Sequence, residues 1–156
     1  MNISLWFMNK IANPLVCLVL RSSLHRLMSA TLLLITYRGR KTGREYSLPV
    51  QYAQAGNLIY IMPGLPEQKT WWRNLKDGAP VRLTLHGQTL AGNAILLKQE
   101  TEAEAILEGL KVYLRRFPAL TKYHHIRTEA DGSFSVEDLR LAAARAVIIR
   151  VELQQK

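Results

Sequence analysis

Between residues 31 and 97 the chain is a series of short apolar or alternating segments, each stopped by a turn rich in glycine or proline. That spacing restricts the fold more than any other feature. Residues 31–38 (TLLLITYR) are β-branched and aromatic, too few for an ordinary helix, and end at Gly39; they read as a strand. Gly39-Arg40-Lys41-Thr42-Gly43 is the turn, and residues 46–53 are the returning strand, where Pro49 requires an edge position or a bulge. Gly56-Asn57 predicts a hairpin into a third strand over 58–62, followed by the loop Pro63-Gly64-Leu65-Pro66. Val81, Leu83 and Leu85 alternate with Arg82, Thr84 and His86, the period of a half-buried strand. His86-Gly87-Gln88 turns that strand into another over 89–97, and a last one is expected over 146–153.

Helices fill the remainder. Asn13 as a cap, Pro14 in the first turn and apolar residues at Val16, Leu20, Leu24, Leu27 and Met28 predict an N-terminal helix. Thr70 is placed to cap a short helix holding Trp71, Trp72 and Leu75. Thr101 with Glu104 has the spacing of a capping box, opening a helix whose apolar face runs from Ile106 to Phe117 before Pro118 stops it. Residues 119–135 read as a loop and 136–144 as a short helix. About six short strands with helical covers predict a mainly β, α+β chain built on a small antiparallel barrel. The order contains no βαβ alternation, which argues against a Rossmann fold. One domain over 1–156 is expected, with a helical segment over 1–30 and the barrel over 31–156, as its 156 residues suit.

Charge is uneven. The net charge is +9, and residues 1–82 hold 11 basic and 3 acidic side chains, hence +8 of it. Such a field attracts phosphate, polycarboxylate, anionic lipid or nucleic acid. Cys17 is the single cysteine, so neither an intramolecular disulfide nor a cysteine-rich zinc module is available, and a packing role is expected for it. A reducing, cytoplasmic compartment is the expected location. The uncharged run 27–37 has 11 residues, against about 20 for a spanning helix, and no signal peptide is read. Leu5, Trp6, Phe7 and Met8 beside Lys10 fit either a helix over one mouth of the core or a basic segment lying on a membrane.

No catalytic side-chain set is legible. His25, His86, His124 and His125 form neither a metal-ligand spacing nor a Ser-His-Asp pattern, and Glu102, Glu104 and Glu108 complement a helix dipole. The turn Gly39–Gly43 lacks the spacing of a Walker A loop. It still unites a guanidinium, an ammonium, a hydroxyl and flexible backbone amides, the mixture that phosphate recognition uses; a solvated basic turn is the other reading. On the helix after Thr70, Trp71 and Asn74 share a face. Trp71 there is either core, one wall of a slot for a planar ring, or a stacking platform for single-stranded nucleic acid.

Residues 33–43 (LLITYRGRKTG), Leu48-Pro49-Val50, and Trp71-Trp72-Arg73-Asn74-Leu75-Lys76 with Pro80-Val81 beyond it resemble the deazaflavin (F420)-dependent nitroreductase family. These are flavin and deazaflavin oxidoreductases on the FMN-binding split β-barrel shared with pyridoxamine-phosphate-oxidase-like proteins. The likeness spans about residues 13–153 and is densest in the two motifs. It implies hydride transfer from reduced coenzyme F420 to a planar, electron-poor small molecule such as a quinone or nitro compound, with no acid–base pair required of the protein. Gly39, Arg40, Lys41, Thr42 and Gly43 would then hold the cofactor's phosphate and acidic tail. Pro49, Met62, Pro63 and Gly64 would border its ring, with Trp71 and Asn74 completing that wall. Tyr113, Phe117 and Tyr123 are the implied substrate wall. Ile61-Met62-Pro63-Gly64 stands where better-studied members have a Ser-Lys-Gly-Gly-like stretch, so one cationic contact is expected to be lost. The alternatives are a relative that binds FMN, haem or a fatty acid without deazaflavin chemistry; a nucleic-acid partner is not expected. Split barrels of this kind often form homodimers.

Overall fold

The computed structural model describes residues 12–154. Its frame is one antiparallel sheet of seven strands: β1 (Leu32–Arg38), β2 (Glu45–Gln51), β3 (Ala53–Ala55), β4 (Leu58–Ile61), β5 (Ala79–Leu85), β6 (Gln88–Leu96) and β7 (Ile149–Leu153). Their order is β2-β1-β5-β6-β7-β4-β3. The two outermost strands, β2 and β3, are separated in the chain by Tyr52 alone. A flat sheet cannot place its opposite edges one residue apart, so the sheet curls into a barrel with its split at Tyr52. That corner also explains why the run 46–53, read as one strand, is two. Pro49 lies on the edge strand opposite Leu34, where its missing N–H costs no ladder bond.

Strand alternation sorts the apolar residues onto two sides of the sheet. Leu33, Ile35 and Tyr37 of β1, Ile59 and Ile61 of β4, and Val81, Leu83 and Leu85 of β5 fill the barrel interior, where Leu75 joins them. Tyr60 of β4 faces the other way, into a second core with α2 (Ala103–Arg116), through Ile106, Leu110, Tyr113 and Leu114, and α4 (Val136–Ala143), through Leu139. Between them α3 (Ala119–Tyr123) and an isolated bridge, Thr128 to Phe134, occupy the stretch expected to be a loop. Leu34 points outward to meet Cys17 and Leu20 of α1 (Asn13–Arg21). Cys17 is therefore the packing residue its apolar surroundings suggest, and burial pushes its thiol pKa up.

Two helix starts differ from their sequence signals. Helix α1 is preceded by Ala12, and Asn13 is its first residue rather than its cap. It also stops at Arg21, because Ser22 is extended (φ −94°, ψ 175°) and its hydroxyl accepts from the Leu24 amide. A separate 3-10 turn, Ser23–Leu27, follows. In α2 the Thr101–Glu104 box is not made; Glu102 occupies the cap position and its carboxylate accepts from the Lys98 amide at 3.1 Å. Ser135 does cap α4, accepting from the Asp138 amide. Among the described residues no helix is long and apolar enough to cross a membrane.

Candidate functional site

The end of β1, the start of β2 and the short 3-10 helix Trp71–Leu75 converge on one side of the barrel. Their side chains line a cleft of about 850 Å³: Tyr37, Gly39, Arg40, Lys41, Thr42, Tyr46, Thr70, Trp71, Arg73 and Asn74. A second cleft of about 610 Å³ shares Thr70 and Trp71 with the first. It is walled by Leu32, Leu48, Pro49, Val50, Met62, Pro63 and Gly64, with Asn13, Gln51, Gln68 and Lys69 as its polar lining. Both volumes lie in the usual range for small-molecule sites. Trp71 thus stands between a basic chamber and one of mixed lining, apolar along residues 48–50 and 62–64.

The basic turn is held by its own backbone. Gly39 N–H donates to the Arg44 carbonyl and Gly43 N–H to the Gly39 carbonyl, each at 2.8 Å. Gly43 has φ +65°, which only glycine adopts without strain, and it shapes the turn without lining the cleft. A Cβ on Gly39 would come within 2.7 Å of the Tyr46 ring and 2.8 Å of Thr42 Oγ1, so glycine is required there by packing. Thr42 Oγ1 lies 3.1 Å from the Tyr46 hydroxyl and accepts from the Arg44 amide.

Aromatic rings back the turn. Tyr37 stacks on Tyr46 with ring centroids 5.9 Å apart, and its other neighbour is Trp71 at 6.0 Å. Burial, and secondarily Tyr46, push the Tyr37 phenol up to about 12, so it stays a neutral donor at physiological pH. Period-two alternation places Tyr37 and Tyr46 side by side across β1 and β2, a pairing visible in sequence only once the hairpin register is fixed. Gln51, Gln68 and Lys69 carry no sequence signal of their own, since they come from a strand end and an irregular loop; Thr70 takes the cap position expected of it, without a side-chain cap bond.

Asn74 lines the basic cleft and also spends its side chain on the protein. Its Oδ1 accepts from the Arg40 amide at 3.0 Å, and its Nδ2 donates to the Trp71 carbonyl at 2.8 Å. It ties the basic turn to the tryptophan helix. Asn74→Ala should cost about 1–2 kcal/mol of stability for two lost hydrogen bonds and weaken ligand binding in the basic cleft. Thermal denaturation and a ligand titration on the same variant check both effects; unchanged values in both would show the tie to be idle. Arg40 is also engaged: its guanidinium meets Asp77 at 2.9 Å, with both side chains more than half exposed. Lys41 makes no ion pair among the described residues.

The three residues expected to form the substrate wall do not line either cleft. Tyr113 is 2% exposed in the second core, its phenol pushed up to about 12 by burial and hydrogen-bonded to the Met62 backbone. Phe117 packs against it at 5.0 Å. Tyr123 is 72% exposed on α3, beside His124. The helical face that seemed free to meet a substrate is spent on α2–barrel packing, and Tyr113 touches the site only through the backbone of the Met62 loop. No group of three or more His, Cys, Asp or Glu side chains capable of holding a metal occurs among the described residues.

A family model described as F420H2-dependent quinone reductase matches residues 21–124, two thirds of the chain and every strand that walls the two clefts. The chain belongs to that family. It is accordingly an oxidoreductase whose cofactor is coenzyme F420, and its reaction is F420H2-dependent reduction. Solved structures share the fold at low identity. An F420-H2 dependent reductase aligns at TM-score 0.53 and 16% identity, covering 78% of this chain and 94% of its own. A domain-swapped dimer aligns at 0.52 and 17%, with coverages of 78% and 80%. A candidate 5-nitroimidazole antibiotic resistance protein from Bacteroides thetaiotaomicron aligns at 0.50 and 12%, with coverages of 84% and 78%. No curated protein matches the sequence.

The residues present suit that cofactor. Two cations and a hydroxyl would provide for a phosphate and an acidic tail, although the Gly39, Arg40 and Gly43 amides are spent within the protein. The adjoining chamber offers an apolar wall and a tryptophan edge for a planar ring.

Proposed function

We propose that the chain reduces quinones at the expense of F420H2, as a single domain, with the cofactor's anionic portion at Gly39–Thr42 and its ring beside Trp71. The observation that supports this reading is the pair of clefts that meet at Trp71, one basic and one with an apolar wall from Pro49, Val50, Met62 and Pro63. The cofactor, when bound, supplies the hydride. The protein's own residues bind, orient and desolvate. Lys41 and Arg40 offer charge-assisted donors to phosphate or carboxylate oxygens. Pro49, Val50, Met62 and Pro63 exclude water from the ring chamber, which strengthens every electrostatic contact within it. Asn74 and the Tyr37–Tyr46 stack keep the turn at a fixed distance from Trp71, and fixed distance is what a hydride donor and acceptor require of a protein.

The test is turnover of pre-reduced F420H2 with 2-methyl-1,4-naphthoquinone, followed by the return of the oxidised cofactor's absorbance. Enzyme-dependent oxidation that requires the quinone is expected. An enzyme that binds F420 yet oxidises F420H2 with no quinone would contradict the substrate assignment.

A cytoplasmic enzyme with a peripheral membrane contact is the accompanying proposal, suited to an apolar quinone. The segment that first suggested it, Leu5 to Lys10, lies outside the described residues. Within them, Leu15 and Leu18 of α1 and Leu24 and Leu27 of the next turn are 57–77% exposed, beside Arg21 and Arg26 in a stretch without acidic residues. The full chain should co-sediment with phosphatidylglycerol vesicles and be released by salt; recovery in the supernatant at low salt would refute it. Self-association into a homodimer is proposed as well, measurable by sedimentation equilibrium.

A further inference from the structure

Lys69 is the one charged side chain lining the ring cleft among the described residues. It is half-buried and makes no ion pair there, whereas Arg40, Arg82 and Arg150 are each matched to a carboxylate. Its surroundings in the cleft include Val50, Met62 and Pro63 on one hand and Gln51 and Gln68 on the other. A cation that lines a cleft and has no carboxylate partner is available to an anion bound there. The backbone behind it is set: the amides of Gln68 and Lys69 both donate to the Leu65 carbonyl at 3.0 Å, with Leu65 itself at φ +54°. The stretch Ile61–Gly64 carries no cation, so the positive charge of this chamber comes from the following turn.

We propose that Lys69 is the anion-stabilising residue of the ring cleft, its ammonium donating to a negatively charged oxygen on a planar ring bound there. The inference rests on the quinone-reductase reading and names the residue that makes the cleft selective. In that reaction F420H2 gives up a hydride and a proton, and the quinone gains both. Hydride uptake first leaves a hydroquinone monoanion with its charge on a ring oxygen. Lys69 N–H groups are placed to bind that oxygen until the proton neutralises it. The same chemistry is available to a charged oxygen on the cofactor's own ring.

The experiment compares 2-hydroxy-1,4-naphthoquinone, ionised at neutral pH, with neutral 2-methyl-1,4-naphthoquinone, by tryptophan fluorescence of the full-length protein. The wild type is expected to bind the anion about tenfold more tightly, as one charge-assisted hydrogen bond would give. Lys69→Met should erase that preference by weakening the anion alone, and Lys69→Arg should keep most of it. Repeating the titrations with F420 bound separates the sources. A preference that survives saturation places the substrate's oxygen at Lys69. A preference lost on saturation, with F420 itself bound about tenfold more weakly by Lys69→Met, places the cofactor's oxygen there. Equal shifts for both naphthoquinones, or none, with F420 binding unaltered, would overturn the proposal while leaving the quinone-reductase reading intact. A wild type that binds neither naphthoquinone nor F420 would overturn both.

Discussion

Replacing Arg40 and Lys41 together by alanine weakens F420 binding about 100-fold or more, with little change in thermal stability. Each charged hydrogen bond lost is worth about 1.5–3 kcal/mol, and both side chains sit on an exposed turn whose backbone is held by other groups. The two contributions are unequal. Arg40 is already shared with Asp77 at 2.9 Å, an exposed pair worth about 0–1 kcal/mol to the fold, whereas Lys41 has no carboxylate partner among the described residues. Lys41→Ala alone should therefore cost more affinity than Arg40→Ala. Asp77→Asn should tighten F420 binding a few-fold, because it frees the guanidinium and removes a negative charge from the rim of an anion site. Binding that also weakens steeply with salt would fit the same field. An unchanged dissociation constant in the double variant removes the turn from the site.

Leu83→Ala is the substitution expected to hurt the fold most while touching neither cleft. Leu83 is fully buried at the centre of the barrel, paired with Ile35 on one side and Leu90 on the other. Truncating a leucine in such a position costs about 2–5 kcal/mol, the spread reflecting how far the cavity relaxes. A domain of this size loses about 2–4 °C of Tm per kcal/mol, so a fall on the order of 10 °C is expected. F420 affinity measured well below the new Tm should stay near the wild-type value. A Tm within a degree or two of wild type would show that the barrel interior is packed less tightly than its burial indicates.

Strands were legible in the sequence because each sheet face leaves a period of two and each tight turn needs a residue such as Gly43, Gly56 or Gly87 at positive φ. Except for β3, which was not separated from β2, the strands flanking those turns lie within a residue or two of their expected bounds. What alternation does not encode is the closing of the sheet. Tyr52 looks like any other strand residue, and only the three-dimensional order shows that it carries the chain across the split. Helix ends were less legible: the apolar spacing runs on to Met28 although Ser22 turns extended and ends α1 at Arg21, and Glu102 takes the cap position one residue past Thr101.

The basic turn and Trp71 could be found early because phosphate recognition and ring packing favour particular residue types in short stretches. Tyr113 and Phe117 could not be placed that way: an aromatic on a helix face reads the same whether it meets a ligand or the neighbouring sheet, and here it meets the sheet. Lys69 is the converse case. It sits in an irregular loop with no period, and its significance comes from the cleft it enters and from the carboxylate it lacks.

Equilibrium titration of the purified protein with coenzyme F420, and in parallel with FMN, tests the cofactor site most directly, followed by quenching of tryptophan fluorescence. F420 is expected to bind in the micromolar range or tighter, well ahead of FMN, with affinity falling as salt rises. FMN binding ahead of F420, or neither binding, would contradict the assignment of these two clefts to the deazaflavin.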